Sequence, residues 1–391
     1  MHAPLPVSDL GNLLLGAVLA LGFVLYLFVG SMIVPGPVRQ GVVLSDGSRI
    51  SYKLNGLALF LITAGLAAVG TWLGFIDLTL LHRHFWGLFV AANVLSFVMT
   101  AQLFASGKDK PGAHRHRADP TPRITGVDAH GNATGSAAGT QSALGLIEDL
   151  WYGVELNPKW MSLDAKMFSY RPSLIGLALL NMSFAAVQYA KYGELSQAMI
   201  LYQAFTFVYV FNYFQFEYGM LYTWDIVAER FGFMLVWGDY AFVPFAYSVT
   251  GWYLVDETGD LPPWALVALP LMFVLGLWIF RGSNQQKDEF KRDPSVKIWG
   301  RPAETIGGKI LVSGFWGIGR KLNYTGEILV YWSFVLLAWG ESFVPFLLPT
   351  WLICLLVHRA WRDDKKCREK YGPLWEQYCK RATFKMIPFV Y

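Results

Sequence analysis

Residues 11–33 read GNLLLGAVLALGFVLYLFVGSMI, with no charged side chain anywhere in the run. A helix rises 1.5 Å per residue, so about 20 apolar residues cross the hydrocarbon core of a bilayer. No basic region precedes the run, no Ala-x-Ala site follows it, and its apolar core is too long for a cleavable signal peptide. It therefore reads as a helix that stays in the membrane. Further apolar blocks lie near 56–76, 85–106, 173–190, 196–216, 231–255, 262–280, 328–340 and 343–357. The last two are short and read as a tight helical hairpin broken at Gly340 and Pro345. The pattern predicts an all-α, polytopic integral membrane protein with about nine spans.

Composition agrees. Hydrophobic residues make up 54% of the chain and charged residues only 15%, against about 25% charged in soluble domains; mean hydropathy is +0.37. Lys and Arg in the short loops set orientation. With the N-terminus outside, Arg39, Arg49, Lys53, Lys108, Lys110, Arg115 and Arg117 fall inside. So do the Arg281–Lys321 segment and the C-terminal tail. The acidic Asp256–Asp260 turn falls outside, and Arg83 and Lys191 are the exceptions. Topology and local sites thus explain the net charge of +4, and nucleic acid is not an expected partner. Cys354, Cys367 and Cys379 lack metal-site spacing and read as small gap-filling residues in a reducing compartment.

The chain divides into N-terminal transmembrane helices over 1–106, a polar inner loop over 107–147, and a C-terminal body over 148–391. The loop has no helical or strand period and reads as disordered. His114 and His116 in that loop, and His82 and His84 before the third span, have no matching second pair, so no metal site is expected. From Arg281 to Lys321 the chain is polar, then rich in Gly and aromatics. Trp316, Asn323 and Tyr324 are costly residues for a mere linker, although an interfacial aromatic belt also holds Trp and Tyr. The tail from His358 to Tyr391 is likewise polar and aromatic.

No phosphate loop, Rossmann fingerprint or zinc helix is present. Any nucleotide would be held by Arg and Lys on phosphate, with aromatic or amide contacts on its rings. Lys287, Lys291, Arg292, Arg320, Arg359 and Arg362 lie on the inner side, where they could equally meet anionic lipid heads. Ionisable residues within apolar spans are the stronger signal, because charge in hydrocarbon is expensive. Glu217 closes the fifth span. Asp239 and Tyr240 lie mid-span ahead of Pro244, where a hydrogen bond to a broken helix is the plainer reading and a buried polar pocket the other.

At these residues the chain resembles the sterol reductase family: delta14-sterol reductases, the membrane domain of lamin B receptor, and 7-dehydrocholesterol reductase. The blocks are Pro35-Gly36-Pro37, Leu44 to Ser48, Gly153-Val154-Glu155-Leu156-Asn157-Pro158, Trp224-Asp225-Ile226, Phe231 to Leu235 and Gly238-Asp239. They continue through Asn284-x-Gln286-Lys287-x-x-Phe290, Ser313-Gly314-x-Trp316-Gly317 and Asn323-Tyr324-x-Gly326 to His358-Arg359-x-x-Arg362-Asp363. The resemblance implies an NADPH-dependent reductase of a sterol ring double bond, most often delta14. It also implies about ten helices, with the C-terminal half forming a cofactor pocket open to the cytoplasm. It puts Lys287 and Lys291 at the adenosine phosphate end. Trp316, Asn323, Tyr324, Arg359, Asp363 and Tyr378 line the stretch from pyrophosphate to nicotinamide, and an apolar channel beside Asp239 and Tyr240 holds the sterol. The chain departs from the pattern at Lys159, Lys291, Arg320-Lys321, Glu327 and Phe216-Glu217, and it starts about one helix later than ten-helix members.

Hydride does not add unaided to an unpolarised alkene, so an acid must protonate one carbon and leave a tertiary cation for the hydride to quench. That acid has to hold its proton at neutral pH, as a carboxyl in an apolar setting or a polarised tyrosine can. Candidates are Glu217, Asp239, Tyr240, Tyr324 and Asp363, with Asp239, Tyr240 and Glu217 assigned to catalysis and Asp363 to orienting Arg359 or the nicotinamide amide. The expected partners are a membrane sterol and the bilayer itself, in a bacterial inner membrane or the endoplasmic reticulum; no obligate protein partner is inferred. Delta7 reduction, an isoprenylcysteine carboxyl methyltransferase-like enzyme and a non-catalytic sterol-binding protein are the alternatives.

Overall fold

The computed structural model describes residues 10–43, 49–110, 143–340 and 342–390. The Leu44–Ser48 block, His114, His116, Arg115, Arg117, Tyr391 and most of the polar loop lie outside the described residues. Among the described residues helices dominate, and sheet is confined to short two-stranded hairpins. Five helices among the described residues are long and apolar enough to cross a membrane: Leu10–Ile33, Phe85–Gly107, Ala165–Tyr192, Pro263–Arg292 and Val344–Tyr371. Gly56–Trp72 is apolar but has only 17 residues. The chain forms two compact units, residues 1–194 with 206–248, and residues 195–205 with 249–391.

Several helices differ from their apolar blocks, each for a local reason. Ala165–Tyr192 starts well before the expected 173 because the Asp164 carboxylate caps it, accepting from the Met167 amide at 2.9 Å. Pro263–Arg292 runs past 280 through a polar stretch whose Gln285–Glu289 and Asp288–Arg292 pairs sit one helical turn apart. Pro345 starts a helix instead of breaking one. It stands in the first turn of Val344–Tyr371, where its missing N–H costs nothing, and that helix carries the polar tail beyond 357. The expected 231–255 span is broken into Phe233–Trp237, a π-helical turn over Gly238–Phe242, Val243–Ala246 and Val249–Leu254. Pro244 has no N–H to donate back to the preceding turn, which favours such an interruption.

In the first unit, small residues let helices approach closely. A Cβ added to Gly16 would lie 2.4 Å from the Gly87 carbonyl carbon, so Leu10–Ile33 and Phe85–Gly107 touch backbone to backbone. Gly153 (φ +88°) and Gly232 meet in the same way, a Cβ on Gly232 falling 2.1 Å from the Gly153 nitrogen. Phe231 N donates to Glu155 O at 3.1 Å beside that crossing. Two sequence blocks about 80 residues apart are therefore packing partners. Leu27, Leu59, Phe60, Phe168, Ile175 and Phe214 form the main core.

In the second unit, Pro263–Arg292 crosses Leu322–Val335 at Gly276 and Gly326. A Cβ on Gly326 would sit 2.5 Å from Phe280 N and 2.6 Å from Gly276 O. The tail folds back after Gly372: Pro373–Arg381 buries Trp375 and Tyr378 against Ile310 and Val312. Phe384 O then accepts from Arg320 N at 3.0 Å, and Met386 O from Thr325 Oγ1 at 2.8 Å.

Gly326→Ala is expected to destabilise the protein by about 1–3 kcal/mol, the usual cost of overpacking. Gly65→Ala, with nothing within 4 Å of the new methyl, should be neutral or slightly stabilising. Thermal unfolding of the purified protein in detergent measures both.

Candidate active site

The catalytic candidates of the first unit occupy two separate settings. Glu217 is locked into structure. Its carboxylate accepts from Gly56 N at 3.0 Å and pairs with Arg171 at 3.5 Å, with both side chains almost fully buried. Arg171 also donates to Lys53 O at 2.8 Å. Glu217 thus ties the junction between the Val38–Lys53 hairpin and Gly56–Trp72 to Ala165–Tyr192. Sequence reading missed Arg171; the signal was a cation just inside an apolar helix.

Asp239 and Tyr240 lie in the π-helical turn. The Tyr240 hydroxyl stands 3.1 Å from Ser169 Oγ, which is itself 2.8 Å from Ala165 O. Ser169 Oγ is the donor toward both the Ala165 carbonyl and the Tyr240 hydroxyl, and shares its single hydrogen between them. Asp239 is partly buried and interacts electrostatically with Asp225, Tyr170 and Tyr240. The single helical turn Trp224–Val227 that carries Asp225 is pinned from beneath. Lys166, 2% exposed, donates to the carbonyls of Asp225, Ile226 and Glu229 at 2.7, 2.9 and 2.8 Å. The result is a pair of carboxylates with phenols at the edge of an apolar body.

Beside them is an apolar cavity of about 220 Å³, walled by Leu10–Ile33, Phe85–Gly107 and Ala165–Tyr192 and closed by Tyr240, Pro244 and Phe245. Among the described residues that line it, Tyr240 is the polar one. Phe245 is held edge-on by Phe85 and Phe89, each at 5.2 Å.

The second unit gathers most of the residues assigned to a cofactor. Lys287 Nζ stands 4.7 Å over the Trp316 ring, within cation–π range. Trp316 is fixed by its indole N–H on Ser283 O at 2.8 Å and by Tyr378, whose hydroxyl donates to Trp316 O at 3.0 Å. Tyr378 is 2% exposed, so it buttresses Trp316, and burial pushes its phenol above the usual range. Asp363 accepts from Lys321 Nζ at 2.9 Å, with the Tyr324 hydroxyl at 3.5 Å. The charges of Lys287 and Arg359 also act on Asp363. Asn323 Nδ2 faces Asn284 Oδ1 at 3.4 Å, while Asn323 Oδ1 is buried with no hydrogen-bond partner among the described residues.

Two cations stand apart from this group. Lys291 is exposed at the end of its helix, though its charge still acts on Lys287. Arg320, one of the six inner-side cations that could meet phosphate or lipid heads, is 8% exposed and donates to Ala382 O and Thr383 O at 2.6 and 3.2 Å. It holds the tail in place. Lys321 was noted from sequence only as a departure from the family pattern; here it pairs with Asp363 at 2.9 Å.

A family model described as Ergosterol biosynthesis ERG4/ERG24 family matches residues 16–391. Delta(14)-sterol reductase of Arabidopsis thaliana is 37% identical over 386 residues, 98% of this chain and 99% of that protein. Delta(14)-sterol reductase of Methylotuvimicrobium alcaliphilum is 37% identical over 362 residues, 91% of this chain and 79% of that protein. Delta(14)-sterol reductase ERG24 of Saccharomyces cerevisiae is 32% identical over 370 residues, 93% and 81% of the two chains.

Breaking one side of a buried ion pair costs about 3–5 kcal/mol, because it strands the other charge. Glu217→Gln should lower stability by that order, and the double replacement Arg171→Met/Glu217→Met should recover most of the loss. Thermal unfolding of the three variants in one detergent tests the pair.

Proposed function

Because the chain belongs to the Ergosterol biosynthesis ERG4/ERG24 family, we propose that it reduces a ring double bond of a membrane sterol, the delta14 bond, with NADPH. The single observation that carries the cofactor half of this reading is the cluster around Asp363. Lys287, Lys321 and Arg359 converge there from three stretches of sequence, beside the Trp316 ring. Clustered cations suit a pyrophosphate, and an aromatic wall suits a flat ring. The buried, unpartnered Asn323 Oδ1 fits a carboxamide N–H, since a buried acceptor otherwise stays unsatisfied at a cost.

NADPH would be held by Lys287, Lys321, Arg359, Trp316, Asn323 and Tyr324, and when bound supplies the hydride. Lys291 would reach the outlying phosphate, and Tyr378 would keep Trp316 in place. The proton comes from the protein. Tyr240 or Asp239 would give its proton to one alkene carbon, leaving on the neighbouring carbon the cation that a bound NADPH would supply with hydride, so that C=C becomes CH–CH. Ser169 orients the Tyr240 hydroxyl and Lys166 steadies the turn whose Asp225 faces Asp239. The apolar cavity beside Tyr240 suits a hydrocarbon substrate drawn from the bilayer. In this reading the chain crosses the membrane nine to ten times, with the cofactor site facing the cytoplasm.

Purified enzyme given NADPH and separate delta14, delta7 and delta24 sterols should yield a product two hydrogens heavier by mass spectrometry, fastest with the delta14 substrate. Absence of sterol-dependent NADPH oxidation would sink the reading. Losing a general acid costs about 10²–10⁴-fold, so at least one of Asp239→Asn and Tyr240→Phe should lose turnover on that scale; full activity in both overturns their assignment.

Arg359→Ala and Lys287→Ala should each weaken NADPH binding by about 10–100-fold, the worth of a hydrogen bond to a charged group. Titration of cofactor fluorescence without sterol reports this independently of turnover. Unchanged affinity in both would overturn the cofactor site.

A further inference from the structure

We propose that the cavity in the first unit receives the aliphatic tail of the sterol, and so sets both tail tolerance and the bond that is reduced. The inference rests on the sterol reductase reading and deepens it. Size is the first argument. A dry cavity of about 150 Å³ takes up one benzene, so by proportion about 220 Å³ holds about nine carbons. That is the bulk of a branched sterol tail and much less than four fused rings.

Chemistry is the second argument. The walls contributed by Phe23, Leu88, Ala92, Gly176 and Leu180 offer no hydrogen-bonding side chain, and among the described lining residues Tyr240 is the exception. An occupant with a hydroxyl or charge in this space would go unpaired, whereas a saturated tail loses nothing by leaving lipid for it. The cavity is also rigid on the Tyr240 side, because Pro244 and the clamped Phe245 form that end.

Connectivity is the third. Tyr240 both lines the cavity and stands among the proposed proton donors. A tail seated against it brings the ring that bears the tail up to the phenol. In a sterol that five-membered ring contains the delta14 bond, while the delta7 bond lies two rings further along. A tail cavity ending at the acid therefore selects delta14 by geometry alone.

Gly176 and Ala92 make the test. A Cβ on Gly176 would meet Phe23 at 3.5 Å and Pro244 at 3.8 Å, ordinary contacts, so Gly176→Ala adds a methyl to the wall without displacing backbone. Ala92→Leu takes up more of the space. Each variant is assayed in the full-length enzyme with NADPH and two delta14 substrates, one with the full tail and one with a hydrogen in its place. The expected result is a fall of tenfold or more in kcat/KM for the tailed substrate with Ala92→Leu. A smaller fall in the same direction is expected with Gly176→Ala, and the tailless substrate should change less than twofold. Thermal shifts by each steroid without NADPH should follow the same pattern. Equal losses on the two substrates, or none, overturn the tail assignment. If Ala92→Leu fails to accumulate, Gly176→Ala decides alone. A wild-type enzyme inactive on both substrates instead overturns the reductase reading.

Discussion

A backbone carbonyl or a charge buried among apolar helices has no water to fall back on, so it must find its partner within the protein. That constraint organises the first unit. Lys166 is not left as an expensive cation in an apolar helix; three carbonyls freed where the chain turns at 225–229 converge on its ammonium. Arg171, little more than one turn later, answers Lys53 O and Glu217, and Glu217 answers the amide at the start of Gly56–Trp72. Glu217, which looks like an active-site residue by composition, therefore acts as a fastener, as do Lys166 and Arg171. Asp239 stands differently: the groups that interact with it electrostatically among the described residues are an acid, Asp225, and two phenols, Tyr170 and Tyr240. That contrast is why Asp239 and Tyr240 remain candidates for chemistry and Glu217 becomes a candidate for architecture.

The same logic explains the second unit. The tail would be an unsupported strand of polar chain if Arg320 did not bind the Ala382 and Thr383 carbonyls and Trp375 and Tyr378 did not bury beside Ile310. Once seated, it holds Trp316 from behind through Tyr378, which presents the ring to Lys287. A residue at 378 thus helps shape a site whose visible cations are at 287, 321 and 359. Arg320 and Lys321 are neighbours in sequence with opposite duties, one spent on the fold and the other on Asp363.

The helical membrane fold was legible because hydrophobic length is a direct physical signal, as residues 11–33 illustrate. Helix ends were less legible. Ala165–Tyr192 and Val344–Tyr371 carry charged residues whose burial or capping becomes evident only when their partners are known, so hydropathy cut them short. The 231–255 block is continuous in hydropathy yet broken in space, since a π turn and a proline do not change apolarity. In the candidate site, residue types were readable: lysines, an arginine and tryptophan near polar, Gly-rich chain. Pairing was not. Nothing in the sequence links Lys321 to Asp363, Ser169 to Tyr240 or Gly153 to Gly232, because those distances are set by crossings between remote helices.

Tyr240 concentrates these threads. Its hydroxyl accepts from Ser169, which also donates to the Ala165 carbonyl, so the phenol is positioned by a helix 71 residues earlier in the chain. Its ring meanwhile closes an apolar space. A phenol held by a buried serine on one side and facing an apolar space on the other suits the proposed protonation of a hydrocarbon: the acid must approach carbon without bringing water, which would capture a cation before hydride could. The interrupted helix makes this possible. A regular helix through 238–246 would advance by 3.6 residues per turn, whereas the π turn widens locally and rotates Asp239 and Tyr240 out of that register. The π turn ahead of Pro244 is therefore not a flaw in a spanning helix but the place where two ionisable side chains leave the regular helical register.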